Sequence, residues 1–245
     1  MTPFPLLLLA ATAAVSLSGC QKAQDEAFGE RVRAYLIANP EVLEETVNAL
    51  EKKKQADVAK ASTAALSKHR AQLERDPRDF VANPNGQVTV VQFFDYNCGY
   101  CKLIAPEVVK LVRENPDVRF VFKEYAFQSD SSVQAASLAL TPQGKSKGLA
   151  LYEALMSQKP LNQDTIARSL VSAGVDAAAA GRAAQDPAIE RQLLDTHALA
   201  QAINANGTPT FIIGDTIIPG ADPQALRAAI LQAKTKDLKR PGSPT

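Results

Sequence analysis

Two cysteines stand three apart in the run Cys98-Gly99-Tyr100-Cys101. The β-branched and aromatic segment Val88 to Phe94 precedes them, and a helical stretch from Cys98 to Glu114 begins with them. In that setting the first sulfur lies at a helix N-terminus, where unpaired N–H groups and the helix dipole favour a thiolate. The second is covered by the helix. Cys98 is therefore the expected nucleophile and Cys101 the resolving thiol, and their spacing lets the pair cycle between dithiol and disulfide by exchange with a substrate. The same CxxC can instead hold a soft metal such as Cu(I), or serve as a structural bridge. The rest of the chain offers little rival chemistry. Cys20 is the third and last cysteine, and the two histidines, His69 and His197, complete no zinc-spaced set, so no metal site is assigned. Both histidines fall in helical stretches and read as surface or boundary residues.

The elements that must position the pair follow from composition and periodicity. The chain has 245 residues, 46% apolar and 22% charged, enough for one core plus an appendage. A net charge of +1 excludes the basic footprint of a nucleic-acid binder. Nine of the fourteen aromatics lie between Phe80 and Phe127, so a compact domain begins near Phe80, after the turn residues Asp76-Pro77. Val88 to Phe94 and Val118 to Tyr125 read as buried strands flanking the Cys98 to Glu114 helix, with Pro106 as a kink. A strand-helix-strand unit implies parallel strands. About 131–206 reads as an all-helical block of four or five short helices, in which the Ala177 to Ala180 run is ordinary helix. Thr210 to Ile213 and Thr216 to Ile218 then form a hairpin across Gly214-Asp215, and a helix capped by Asp222 closes the domain. The tail 238–245 is rich in Pro and Ser and frays.

A second motif, Gly207-Thr208-Pro209-Thr210-Phe211, leads straight into the hairpin. By itself it reads as an edge-strand proline. Together, FFDYNCGYCK and GTPTFIIG resemble the DsbA family of bacterial envelope thiol-disulfide oxidoreductases, over roughly Phe80 to Lys236. The resemblance implies an α/β thioredoxin-like fold with an all-helical insertion, to which the helical residues before it add an N-terminal helical extension. It also implies a cis Thr208-Pro209 bond beside the cysteines, with Thr208 and Pro209 binding an extended substrate segment. No dissociable cofactor is required. The implied partners are unfolded or misoxidised envelope proteins and a membrane redox partner.

Two departures from that family bear on mechanism. Better-known oxidases carry Pro-His between the cysteines. Gly99-Tyr100 supplies no positive charge, so oxidising power is expected between the ~ −120 mV of DsbA and the ~ −270 mV of thioredoxin; Tyr100 is thus a tuning position. Gln92 stands where the family has a buried carboxylate, and an amide cannot be a base. Lys123, which resembles the lysine that pairs with that carboxylate, takes over the proton transfer, or else Glu124 or water does; Gln92 itself also reads as a satisfied core amide. Asp95 and Tyr96 match the family loop and either shape substrate access or are turn residues. The Gly-Tyr dipeptide and Thr208 resemble those of envelope isomerases, which leaves both oxidation and isomerisation open.

The first residues read as targeting. Leu6 to Leu17 is apolar and too short to span a bilayer, and Leu17-Ser18-Gly19-Cys20 resembles a lipoprotein processing box. Residues 1–19 are then a leader and Cys20 the lipidated residue, although no Lys or Arg precedes Leu6; an ordinary leader with a chance cysteine fits the same residues. This places the protein in the bacterial envelope, facing the periplasm, with Gln21 compatible with outer-membrane sorting. Residues 20–77 are helical, broken at Asn39-Pro40, with a sparse apolar stripe of Val42, Leu43, Val47, Leu50, Val58, Leu66 and Leu73. They serve either as a solvated stalk or as an oligomerisation segment, and they resemble the trimerising arm of suppressor-of-copper-sensitivity proteins. The oxidoreductase domain is expected over 78–237. The rival reading is a Cu(I)-binding envelope lipoprotein, or a structural relic of the fold.

Overall fold

The computed structural model describes residues 15–238, with side chains from Glu26 to Asp237. Most of the expected leader and the tail from position 239 lie outside the described residues. The chain divides into one unit up to Lys60 and another from Ala61 onward.

The first unit is built from helices α1 (Val15–Ala38) and α2 (Glu41–Lys68), the latter running on into the second unit. The break falls at the expected Asn39-Pro40, where the Asn39 side-chain amide donates to the Tyr35 carbonyl at 2.8 Å. Glu41 and Glu44 in the first turn of α2 suit its N-terminal dipole. Phe28, Tyr35, Ile37, Leu43, Val47, Leu50 and Val58 are all half or more exposed. No helix among the described residues is long and apolar enough to cross a membrane.

The second unit opens with the end of α2 and α3 (Arg70–Glu74), followed by β1 (Phe80–Ala82) and β2 (Val88–Phe94). Helix α4 (Gly99–Glu114) leads to β3 (Val118–Glu124). Then come six helices: α5 (Asp130–Ala139), α6 (Pro142–Ser146), α7 (Gly148–Met156), α8 (Gln163–Ser172), α9 (Ala177–Ala183) and α10 (Pro187–Ala202). The hairpin β4 (Thr210–Ile213) and β5 (Thr216–Pro219) and helix α11 (Pro223–Leu238) complete the unit. The sheet order is β1-β3-β2-β4-β5, with β2 and β3 parallel and the other pairs antiparallel.

Two details differ from the sequence expectation. Strand β1 is a three-residue edge whose Phe80 ring rests 5.1 Å from that of Phe122, too short for a period-2 pattern to announce. The insertion has six helices because Pro142-Gln143-Gly144, read as a break, folds into the single-turn α6: the Thr141 hydroxyl caps it by accepting from Gly144 N at 3.0 Å. Pro106 lies within a continuous α4. Gly214 takes φ +59° in the hairpin turn, the left-handed conformation that such a turn asks of its glycine.

Strand alternation divides the core into two layers. On one face Val88, Val90, Phe94, Phe120, Phe122 and Phe211 pack under α4, the helical block and α11. On the other, Val91, Phe93, Val121, Tyr125 and Ile212 pack against Leu66, Leu73, Leu199 and Ile203. The apolar stripe read along 42–73 is therefore divided: Leu66 and Leu73 are fully buried in the second unit, while Leu43, Val47, Leu50 and Val58 are exposed.

Candidate active site

Parallel strand β2 ends at Phe94 and the chain turns into α4 with Cys98 as N-cap, in extended conformation at φ −70°, ψ 120°. This turn is built by Asp95. Its buried carboxylate accepts from Asn97 N at 2.6 Å, Ser132 Oγ at 2.7 Å, Phe127 N at 3.0 Å and Gln128 N at 3.1 Å. Asp95 thus ties the cysteine loop to the strand β3 exit and to α5, a turn role on the geometry.

The Cys98 sulfur accepts from Cys101 N at 3.3 Å, and as a thiol it donates to the Thr208 carbonyl at 3.2 Å. Both cysteines are free. Cys98 is 4% exposed and Cys101 wholly buried, the order expected of attacking and resolving sulfurs. A hydrogen bond from the Cys101 thiol holds the Cys98 pKa down to about 5; burial works against this, and the Thr208 hydroxyl and the Cys101 and Tyr100 backbone N–H groups assist it. Burial pushes the Cys101 thiol far up, and the neighbouring Cys98 sulfur adds to that. The Thr208 hydroxyl, buried and with no conventional hydrogen-bond partner, favours both thiolates. At neutral pH the arrangement presents one thiolate and one thiol, the pairing that disulfide exchange needs.

Across from the sulfurs, the Thr208–Pro209 peptide is cis, as the sequence resemblance implies, and so is Lys159–Pro160, which nothing in the sequence singled out. Asn204, Asn206, Gly207, Thr208, Pro209 and Gly220 line part of a groove of about 350 Å³. Tyr100 and Leu103 on α4 are 67% and 70% exposed, leaving apolar surface on the active-site helix.

The proton-transfer candidates are separated by the sheet. Gln92 faces the cysteine side, where its amide and the Tyr152 hydroxyl pair at 3.1 and 3.3 Å, so it is a satisfied core amide. In the parallel register Gln92 lies opposite Phe122, and Lys123 opposite Phe93. Lys123 therefore leaves through the other face, where it meets Asp79 at 2.5 Å and the Gln72 carbonyl at 2.5 Å. The structure does not bring Lys123 together with Gln92 or Cys101. Glu124 emerges on the cysteine side and accepts from the Tyr96 hydroxyl at 2.9 Å. Tyr152, the one aromatic of the helical insertion, was the residue that sequence reasoning missed; its isolation among aliphatic helices was the available signal. His69 bonds Gln72 at 2.7 Å, and His197 meets Tyr125 edge-on with ring centroids 4.6 Å apart, so both are boundary residues. Among the described residues no cluster of three or more His, Cys, Asp or Glu side chains could hold a metal ion. Cys20 lies within α1, its side chain outside the described residues.

Comparison with known proteins places this geometry. Residues 89–232 match the DSBA-like thioredoxin domain, and residues 24–57 match the N-terminal domain of the copper resistance protein ScsC. No curated protein sequence matches the chain. A thioredoxin-like oxidoreductase from Silicibacter pomeroyi DSS-3 is 36% identical, with a TM-score of 0.63, over 68% of this chain and 98% of that one. Proteus mirabilis ScsC in a transitional conformation is 30% identical, with a TM-score of 0.64, over 88% and 99%. A periplasmic thioredoxin-like protein from Salmonella enterica serovar Typhimurium is 33% identical, with a TM-score of 0.63, over 68% and 95%.

Proposed function

The chain belongs to the DSBA-like thioredoxin family and is a thiol-disulfide oxidoreductase, and from that premise we propose that Cys98 is its nucleophile and Cys101 its resolving thiol. The observation that carries the assignment is the Cys98 sulfur at the N-cap of α4, bonded to Cys101 N and facing the Thr208 carbonyl. The Cys98 thiolate attacks a substrate disulfide, forming a mixed disulfide and expelling one substrate thiolate. Cys101 then attacks Cys98, closing the Cys98–Cys101 bond and releasing the second substrate sulfur. Run backwards, the same steps oxidise a substrate dithiol. Thr208 and Pro209 line an extended substrate segment, and Tyr100 and Leu103 meet its apolar side chains. The electrons reside in the sulfurs, so the cycle needs no dissociable cofactor.

The working direction proposed is the reshuffling of wrong disulfides in envelope proteins. An isomerase needs several active sites around one substrate, and the match of residues 24–57 to the ScsC N-terminal domain, with Leu43, Val47 and Leu50 exposed at helical spacing, supports assembly of copies through this segment. The similar Salmonella protein is periplasmic; the same compartment, with Cys20 as lipid anchor, completes the reading. A membrane redox partner would keep Cys98 and Cys101 reduced.

The test is reactivation of a scrambled multi-disulfide protein by the reduced chain in a glutathione buffer. Activity returns with the intact chain and is lost in Cys98→Ser. Rapid oxidation of a reduced substrate without reactivation would reverse the direction; stoichiometric Cu(I) binding with no exchange would replace the function by metal binding.

A further inference from the structure

Among the described residues, Glu124 is the one acidic side chain buried on the cysteine face of the sheet that the exchange steps above leave without a task. It is 6% exposed, at the end of β3. Its Oε1 accepts from the Tyr96 hydroxyl at 2.9 Å, while its Oε2 is buried with no hydrogen-bond partner. The surroundings are apolar: Phe94 packs against Tyr96 and Tyr152 at 5.2 Å each, and Tyr152 against Phe122 at 5.0 Å. Lys123, the adjacent cation, is turned to the other face and paired with Asp79. An ionised carboxylate with an orphan oxygen in such a site costs several kcal/mol, whereas a neutral acid does not.

Cys101 has the complementary problem. When a substrate thiolate attacks Cys98 of the disulfide form, the Cys98–Cys101 bond breaks and its electron pair goes to the Cys101 sulfur, which is wholly buried. That sulfur needs a proton at once, and Gln92, the nearest polar side chain of β2 on this face, has none to exchange. We propose that Glu124 is the proton donor to Cys101 in this step and the acceptor in its reverse. The carboxyl gives its proton to the Cys101 thiolate and becomes a carboxylate, which solvent reprotonates before the next turn. In mixed-disulfide resolution Glu124 first loses its proton to solvent; the carboxylate then takes the Cys101 proton as that sulfur attacks Cys98, and solvent protonates the expelled substrate thiolate.

The groups facing Glu124 from each packed element fit this role. Burial raises its pKa well above the usual carboxylate range; the Tyr96 hydroxyl opposes this, and the negative charges of Asp95 in the loop and Asp79 before β1 add to it. On α7, the Tyr152 hydroxyl is held protonated mainly by burial, and both Cys101 and Glu124 add to that, so it lies within the field of the two groups. The result is a buried neutral acid on the same face of the sheet as the sulfur that must gain a proton.

The inference rests on the cysteine roles assigned above, and the experiment separates the two. The intact chain carrying a Cys98–glutathione mixed disulfide is followed as Cys101 resolves it, from pH 5 to 9, alongside iodoacetamide alkylation of Cys98 in the reduced chain. Glu124→Gln is expected to slow resolution about a hundredfold at pH 7, and to remove an inflection from the pH profile. Its Cys98 alkylation midpoint should stay put, and Glu124→Asp should restore the inflection. Resolution by Glu124→Gln at the native rate and profile overturns the proposal, as does an equal shift of the alkylation midpoint, which would mark a purely structural effect. If Glu124→Gln does not fold, infrared difference spectra of the native chain decide: a protonated glutamate C=O band, moved by ¹³C-glutamate labelling, shifts between disulfide and dithiol forms, and its absence rejects the role. Glutathione exchange persisting in Cys98→Ser would instead overturn the cysteine assignment itself.

Discussion

The chemistry of the pair depends on how unequal its two sulfurs are. Cys98 titrates near 5 because the Cys101 thiol, the Thr208 hydroxyl and the N-terminal amides of α4 all favour its thiolate, without any histidine between the cysteines. Iodoacetamide should therefore alkylate Cys98 at a constant rate above about pH 6 and lose rate below pH 5, and Thr208→Val should move that midpoint upward. A midpoint near the ordinary thiol value of 9.0 would refute the assignment of causes. The same shift governs stability. A folded pKa below the unfolded one contributes stability that is fully present above about 9 and is lost as pH falls through about 5. Cys101 stays a thiol through this window, and the disulfide form has no titrating sulfur at all. Calorimetry of both forms at pH 4 and pH 8 should show the dithiol form gaining Tm relative to the disulfide form at the higher pH; a pH-independent difference would contradict it. Other titrating groups present in both forms largely cancel in this comparison.

At the scale of elements, strand register decides which residues can cooperate. The near-continuous β-branched and aromatic runs in the sequence showed β2 and β3 to be buried central strands, yet their relative register was not legible from them. Gln92 pairs with Phe122, so Lys123 belongs with Phe93 on the far face and Glu124 with the cysteines. There Lys123 serves architecture: with Asp79 and the Gln72 carbonyl it binds β3 to the segment before β1 and to α3, and Gln192 of α10 donates to Asp79 at 3.2 Å. Burial lifts Asp79 to about 6 against the pull of Lys123. A raised carboxyl pKa makes its contribution most favourable below the ordinary value of 3.8 and progressively lost as pH rises through about 6. Removing one partner strands the other charge, so Asp79→Ala should cost about 3–5 kcal/mol in denaturant unfolding. Asp79→Leu combined with Lys123→Met should recover most of that loss. A single substitution as mild as an exposed one would mean that water reaches the pair.

For the whole molecule, the order of elements and both cysteine-loop motifs were readable because each has a strong local signature: CxxC after a buried strand, Thr-Pro before a hairpin, Asn-Pro between helices. The boundary between the N-terminal helices and the catalytic unit was not, since helical propensity runs unbroken through α2 while the packing changes along it. Leu43, Val47 and Leu50 are exposed, whereas Leu66 and Leu73 from the same stripe are fully buried against Phe93, Val121 and Ile212. The composition shift near position 77 falls after two leucines that pack in the core of the second unit, so a chain beginning at 77 lacks both. Leu→Ala changes at such sites cost about 2–5 kcal/mol each. A chain starting at Ala61, where the second unit begins, should fold, keep Cys98 alkylation and glutathione exchange, and run as a monomer in light scattering. One starting at Asp79 should be markedly less stable. If the N-terminal helices assemble copies of the chain, the intact protein without its leader should scatter as an oligomer and reactivate scrambled disulfides, and the Ala61 chain should exchange disulfides yet reactivate poorly. An intact protein that is monomeric, or an Ala61 chain that reactivates equally well, would leave those helices as a stalk and shift the function to simple oxidation or reduction.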